Sequence, residues 1–128
     1  MKIAVIIARV LMGLMFLQAS VMYFMDWYPK DQVPPKDVMT YMTGIQTVHL
    51  LDIVKAIELA CAICYLAGRY VALANVVLFP ITFNIVLLHA MIDPGTVGVA
   101  VAVLAVHLFL LYAYRKHYTG VFAAKRME

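Results

Sequence analysis

Charged side chains are scarce in this sequence. They make up 13% of the 128 residues, whereas hydrophobic residues make up 66%. A soluble domain of this length cannot hide so much apolar side chain in its interior, so the composition excludes a soluble globular protein. The sequence instead predicts a membrane protein that crosses the bilayer several times, with lipid as its main partner.

Cysteine is nearly absent as well. The only two, Cys61 and Cys64, lie inside an apolar stretch, so they indicate no extracellular disulfide framework. A C-x-x-C pair on a membrane helix is also the pattern of quinone-coupled disulfide formation, but that relay generally needs a second cysteine pair. We therefore interpret both cysteines as small apolar packing residues. The sequence also lacks metal-ligand spacing, a glycine-rich phosphate loop and a nucleophile triad, so no metal site is predicted.

Four apolar runs account for most of the chain, and each approaches the roughly 20 residues that cross a bilayer. Their positions are about 3–25, 48–67, 70–91 and 96–114. We predict an all-α membrane protein, an antiparallel four-transmembrane-helix bundle that forms a single domain over residues 1–128. Residues 26–47 form the one sizeable connection, in which residues 38–45 are predicted as a short surface helix.

Basic residues fall mainly on one side of this four-span arrangement. Those at the termini or between spans two and three are Lys2, Arg69, Arg115, Lys116, Lys125 and Arg126. On the opposite side, aspartates dilute the charge of Lys30 and Lys36. An excess of lysine and arginine marks the cytoplasmic side of a membrane. We therefore expect both termini in the cytoplasm of a bacterium, residues 26–47 outside its inner membrane, and no binding of nucleic acid despite a net charge of +3.

Span two carries more charge than a lipid-facing helix tolerates. His49, Asp52, Lys55 and Glu58 recur there at every third position. On an insertion scale, each Leu, Ile or Val contributes roughly −0.3 to −0.6 kcal/mol, whereas each charge near the centre costs roughly 2.5 to 3.5 kcal/mol. The charged side must face other helices or water, and ionisable residues kept inside a membrane are candidates for function.

The directions of the helices predict which polar residues meet. Span two runs inward and span three runs outward, so their outer halves lie side by side. The residues predicted to line one cavity open to the outside are His49, Asp52, Lys55, Asn84 and His89. Deeper in the membrane, Arg9 is predicted to pair with Glu58, or alternatively to extend its side chain to the cytoplasmic boundary. With Arg9 included, the charges of this network cancel, as a low dielectric requires.

Other residues indicate how the helices pack. Gly13 in span one is expected to let a neighbouring helix approach closely, and span four has a small-residue side formed by Gly98, Ala102 and Ala105. His107 is interpreted as a hydrogen-bonded histidine inside the bundle.

Three stretches of the chain resemble the DoxX family of small four-helix membrane proteins. They are A-R-V-L-M-G-L-M-F-L, K-A-I-E-L-A-C-A-I-C-Y-L-A-G-R-Y and F-P-I-T-F-N-I-V-L-L-H-A-M-I-D, in order over about residues 8–93. The resemblance implies the four-helix fold and matches family positions to Arg9, Glu58, Asn84 and His89. The family is named for a membrane subunit of a quinone-reducing sulfur oxidoreductase. Other members belong to membrane oxidoreductase complexes, and distant relatives act as assembly chaperones for membrane receptors.

Three functions are consistent with these features. The first is a membrane subunit or accessory of a quinone-linked oxidoreductase, with quinone in the cavity and no tightly bound cofactor. Because the sequence has no haem or flavin motif, electrons would come from a redox partner protein. The second is a non-catalytic scaffold or assembly chaperone, in which the charges only hold the helices in register. The third is a small proton-coupled carrier that uses Glu58. A homo-oligomer is compatible with all three, and none requires the chain itself to be catalytic.

Overall fold

The protein is entirely helical over the part of the chain that the structure describes. This computed structural model describes residues 2–26, 35–92, 94–121 and 124. The α-helices are α1 (Lys2–Phe24), α2 (Lys36–Gln46), α3 (Leu50–Ala67), α4 (Val71–Met91) and α5 (Val97–Ala113). Single 3-10 turns cover Pro94–Thr96 and Arg115–Tyr118, and no β-strand occurs in the described ranges. The predicted all-α class is confirmed.

Three of the long helices are suited to a bilayer by length and composition. They are Lys2–Phe24, Val71–Met91 and the segment Pro94–Ala113, and their mean hydropathies are 2.0, 2.3 and 2.3. Many of their outward side chains are apolar, including Ile3, which is 74% exposed, and Val99, which is 71% exposed. Exposed apolar surface of this extent indicates contact with lipid, so the protein is a multi-pass membrane protein.

The four long helices pack in a closed ring around one core. Helix α1 contacts α3 and α5, α4 contacts the same two helices, and the shorter α2 packs against α3. The largest buried side chains at the centre include Met12 of α1, Tyr65 of α3, and Leu78 and Leu110 of α4 and α5. Connections of only a few residues join α3 to α4 and α4 to α5, which makes consecutive helices neighbours.

Helices α1 and α3 approach closely at Gly13. A Cβ atom added there would lie 2.8 Å from Cγ and 2.9 Å from Cδ2 of Leu66, and 3.2 Å from Cβ of Tyr65. The expected close approach at this glycine is therefore confirmed. Cys61 is buried in the same core and Cys64 packs against it, both as free thiols, which agrees with their interpretation as packing residues.

Two details of the connections differ from the expectations or extend them. The predicted surface helix at 38–45 is present as the somewhat longer α2, which starts directly after Pro35, where the fixed φ of proline suits a helix start. The small-residue side of span four does not pack within the chain. Gly98, Ala102 and Ala105 are all exposed, since α5 turns Ala100, His107 and Leu110 inward instead. Residues 27–34 and Asp93 lie outside the described residues.

We expect Gly13→Val to loosen the contact between α1 and α3. The new side chain overlaps Leu66 and the backbone-proximal Cβ of Tyr65, and overpacking of this kind costs about 1–3 kcal/mol. Thermal unfolding of the purified protein in detergent would measure the loss. Gly98→Val is the matched control, because nothing lies within 4 Å of a Cβ at Gly98. Equal melting temperatures for the two variants would contradict the close approach.

Candidate functional site

A pocket lies between α2, α3 and α4. Its volume is about 140 Å³, and most of its wall is apolar, with Leu51 and Val54 from α3 and Ile85 and Leu88 from α4. Its polar side chains are Tyr41 from α2, Lys55 and Glu58 from α3, and Asn84 from α4. A concave apolar site with a few convergent polar groups is the usual form of a small-molecule site.

Lys55 and Glu58 form an ion pair on the wall of this pocket. Nζ of Lys55 lies 3.1 Å from Oε2 of Glu58, and the side chains are 18% and 3% exposed. The residues are three apart on one helix, so they lie on the same face of α3. Oε2 of Glu58 is buried and has no partner in hydrogen-bond geometry. The ammonium of Lys55 is therefore the charged contact of this oxygen, and no other donor among the described residues reaches it.

Asn84 and Tyr41 close the opposite wall. The side-chain amide of Asn84 donates a hydrogen bond to the hydroxyl of Tyr41, which joins α4 to α2 over the pocket. Sequence reasoning placed Asn84 in the cavity but did not include Tyr41. The available signal was the predicted short helix after span one, because an amphipathic helix in that connection has to lay one face on the bundle.

The structure brings together two of the five residues predicted to line the cavity. Lys55 and Asn84 share the pocket with Glu58, which was predicted to lie deeper. His49, Asp52 and His89 do not line it.

Asp52 instead ties the ends of three helices together. Its Oδ1 accepts a hydrogen bond from the hydroxyl of Tyr23 at 2.5 Å, and its Oδ2 accepts one from Nε2 of Gln46 at 3.2 Å. Nδ1 of His49 lies 3.3 Å from the same Oδ2. His49 itself precedes α3 in a left-handed conformation with φ 57°. These contacts join the last turns of α1 and α2 to the first turn of α3, so the carboxylate of Asp52 is used within the fold.

His89 is also placed away from the pocket. Its Nδ1 forms a hydrogen bond with the hydroxyl of Thr96. Thr96 ends the 3-10 turn Pro94–Thr96, so this bond joins the last turn of α4 to the start of α5. The prediction that His89 lines the cavity is wrong for this reason.

The predicted pair of Arg9 and Glu58 is not formed. A Cβ atom at Gly68, just after α3, would collide with the guanidinium group of Arg9. Gly68 lies ten residues beyond Glu58, and most of that interval is helix with a rise of 1.5 Å per residue, so Arg9 is about 15 Å away along α3. The alternative, in which the Arg9 side chain extends to the end of the bundle, agrees with the structure.

A second polar cluster is buried between α3, α4 and α5. The hydroxyl of Tyr65 donates to Oδ1 of Asn75 at 2.7 Å, and Nδ2 of Asn75 donates to the hydroxyl of Tyr118 at 3.1 Å. Tyr118 in turn donates to the carbonyl oxygen of Ala72 at 2.9 Å. Burial raises the pKa of Tyr118, so this phenol stays protonated and keeps its donor role.

His107 continues this cluster and is hydrogen-bonded at both ring nitrogens. Nε2 lies 2.8 Å from the carbonyl oxygen of Asn75, and Nδ1 lies 3.0 Å from the hydroxyl of Thr82. A carbonyl oxygen only accepts, so Nε2 must carry a proton. The interpretation of His107 as a hydrogen-bonded histidine inside the bundle is confirmed.

The pocket and the buried cluster differ in how far their polar groups are hydrogen-bonded within the chain. The cluster uses its donors and acceptors internally, which marks it as structural. The pocket combines free volume with a buried ion pair, in which Oε2 of Glu58 meets no described donor other than Nζ of Lys55. Among the described residues, no group of three or more His, Cys, Asp or Glu side chains is arranged to hold a metal ion. The pocket is therefore the candidate functional site.

Comparison with known proteins finds no relative of this chain. The chain matches no protein-family model, no curated protein and no solved structure.

We expect Tyr118→Phe to lower the free energy of unfolding by about 1–3 kcal/mol, because it leaves the buried amide of Asn75 without its acceptor. Chemical or thermal unfolding in detergent measures this loss. Tyr112→Phe is the matched control, since Tyr112 is 57% exposed and its ring, not its hydroxyl, contacts Arg115. If Tyr118→Phe were as stable as the control, the cluster would not hold the turn Arg115–Tyr118 against the bundle.

Proposed function

We propose that the protein is a four-transmembrane-helix bundle whose pocket binds the ring-sized head group of a membrane amphiphile, with a quinone as the candidate. In this proposal it serves as a DoxX-like membrane subunit or accessory of a quinone-linked oxidoreductase system. A partner protein supplies the electrons, and no cofactor is tightly bound.

The observation that carries the proposal is the position of the Lys55–Glu58 pair. Buried ion pairs often serve to fix the register of helices, but this pair lies within α3 and joins it to no other helix. Register is set elsewhere, by Asp52 and by the cluster around Asn75. A pair that costs desolvation and bridges no helices needs another explanation, and contact with a ligand in the pocket supplies one.

The pocket volume limits the kind of ligand. A cavity of about 150 Å³ in an engineered protein accommodates benzene, so the pocket of about 140 Å³ admits one six-membered ring. It is smaller than typical sites for whole ligands, which measure about 300–1,000 Å³. The head group of a quinone would enter, and its apolar tail would remain outside between helices or in lipid.

The polar groups suit the two carbonyl oxygens of such a ring. The ammonium of Lys55 can donate to one oxygen, and the hydroxyl of Tyr41 or the amide of Asn84 can donate to the other. Reduction of a quinone to a quinol takes up two electrons and two protons. In this proposal the partner protein supplies the electrons, water supplies both protons, and Glu58, which lines the pocket, would relay them one after the other to the ring oxygens.

The membrane arrangement in this proposal takes α3 as the fourth span. Its 18 residues extend about 27 Å, close to the roughly 30 Å of a hydrocarbon core. Lys2, Arg69 and Arg115 then lie at the same end of the bundle, at the start of α1, the turn after α3 and the end of α5. By the positive-inside rule the proposal puts both termini in the cytoplasm, and it takes the membrane to be a bacterial inner membrane.

A scaffold or assembly chaperone is the second candidate, and Asp52 favours it. Three side chains from three chain segments converge on this carboxylate, as expected where charge only holds helices together. The predicted proton-coupled carrier that uses Glu58 stays a prediction.

The double variant Lys55→Met with Glu58→Gln tests the quinone proposal. Removing both charges avoids leaving one of them buried alone, so the variant is expected to fold as well as the parent. Loss of hydrogen bonds from a charged donor is expected to weaken binding of a short-chain quinone about tenfold or more. Titration of the purified protein in nanodiscs, followed by calorimetry, measures the affinity.

His89→Gln is the matched control, because His89 lies outside the pocket and its substitution is expected to leave quinone affinity unchanged. If the parent protein bound no quinone and the double variant had normal stability, the quinone proposal would be contradicted. The scaffold would then remain as the candidate function. Proton-dependent solute flux in liposomes that Glu58→Gln abolishes would instead support the carrier.

A further inference from the structure

We propose that the seam between α1 and α5 binds an anionic phospholipid, with its phosphate group at Arg9 and an acyl chain in an apolar groove alongside. This site lies at the opposite end of α3 from the quinone pocket and does not depend on it.

The head-group part of this site is a basic pocket between the start of α1 and the end of α5. Its volume is about 430 Å³, and its wall includes Lys2, Arg9 and His117 together with Val5 and Tyr114. None of the described residues that line it is acidic. Basic pockets between membrane helices near the cytoplasmic surface are suited to the phosphates of anionic lipids.

Arg9 is the residue that calls for an anion. It is half-buried on an apolar helix, its Nε is buried without a hydrogen-bond partner, and no ion pair joins it to any residue in the described ranges. Its guanidinium group is packed against Gly68, where any side chain would displace it. A permanently charged group that is half-buried at the end of an apolar bundle attracts a counter-charge, and the phosphate of a neighbouring lipid is the anion that a membrane supplies.

An apolar groove continues along the same seam toward the centre of the bundle. Its volume is about 280 Å³, and its wall includes Leu11 and Met15 of α1 and Ala102 and Val106 of α5. Val106 precedes Ala113, which lines the basic pocket, by seven residues, so the two cavities are about 10 Å apart along α5. A phosphate site with an apolar groove further along the same seam matches a phospholipid better than a free phosphate ion.

Native mass spectrometry of the full chain in detergent tests the head-group part. Phosphatidylglycerol is expected to bind the parent protein about tenfold or more tightly than phosphatidylcholine. The exposed anionic head group of phosphatidylglycerol gains charge-assisted hydrogen bonds from Arg9. Arg9→Gln is expected to abolish this preference. Lys116→Gln, which removes an exposed charge at the same end of the bundle, is expected to keep it.

The acyl part is tested by filling the groove. Ala102→Phe is expected to weaken phosphatidylglycerol binding severalfold, whereas Ala105→Phe, an exposed position on the same helix outside the groove, is expected to have no effect. These variants also keep the proposal testable if Arg9→Gln does not fold. If Arg9→Gln and Lys116→Gln reduced the preference for phosphatidylglycerol equally, the lipid would be attracted by the basic surface as a whole. That result would overturn the proposed site. Displacement of the lipid by millimolar inorganic phosphate, with no effect of Ala102→Phe, would overturn a lipid in favour of a free anion.

Discussion

A polar side chain within a bilayer has no water to bond with, and this constraint governs the whole structure. Each such group must find a partner in the chain, reach an end of the bundle, or meet a ligand. Asn75 and His107 take the first route, in a cluster that satisfies both ring nitrogens of the histidine. Arg9 takes the second, and the Lys55–Glu58 pair, which bonds only within its own helix, is the proposed case of the third.

This division separates stability from function along a single helix. Asp52 at the start of α3 is occupied by Tyr23, Gln46 and His49, and it holds three segments in place. Two turns further on, Glu58 lines a cavity and joins no other helix. Charges that recur at every third position of α3 therefore have different surroundings. Only the surroundings of Glu58 leave space for a small molecule.

Much of the fold and part of the candidate site were predictable from the sequence. Apolar runs of sufficient length predicted the helices, and the opposite directions of spans two and three predicted that Asn84 would lie near Lys55, as it does in the pocket. The pairing of Arg9 with Glu58 was wrong because helical periodicity gives the face of a residue but not the axial offset between two helices. That offset is set where Gly13 lets α1 contact Tyr65 and Leu66 of α3, which places Arg9 beyond the end of α3. Tyr41 was missed because the position of α2 over the bundle depends on contacts far apart in the chain.

The sequence by itself determined that this is an all-helical membrane protein with charge concentrated on one helix, because composition and run length decide whether a segment can lie in lipid. Only the tertiary structure decided which of those charges face a cavity and which hold helix ends together. The physical reason is that burial, volume and distance arise between helices, where a one-turn shift changes every partner of a side chain while the sequence pattern stays the same.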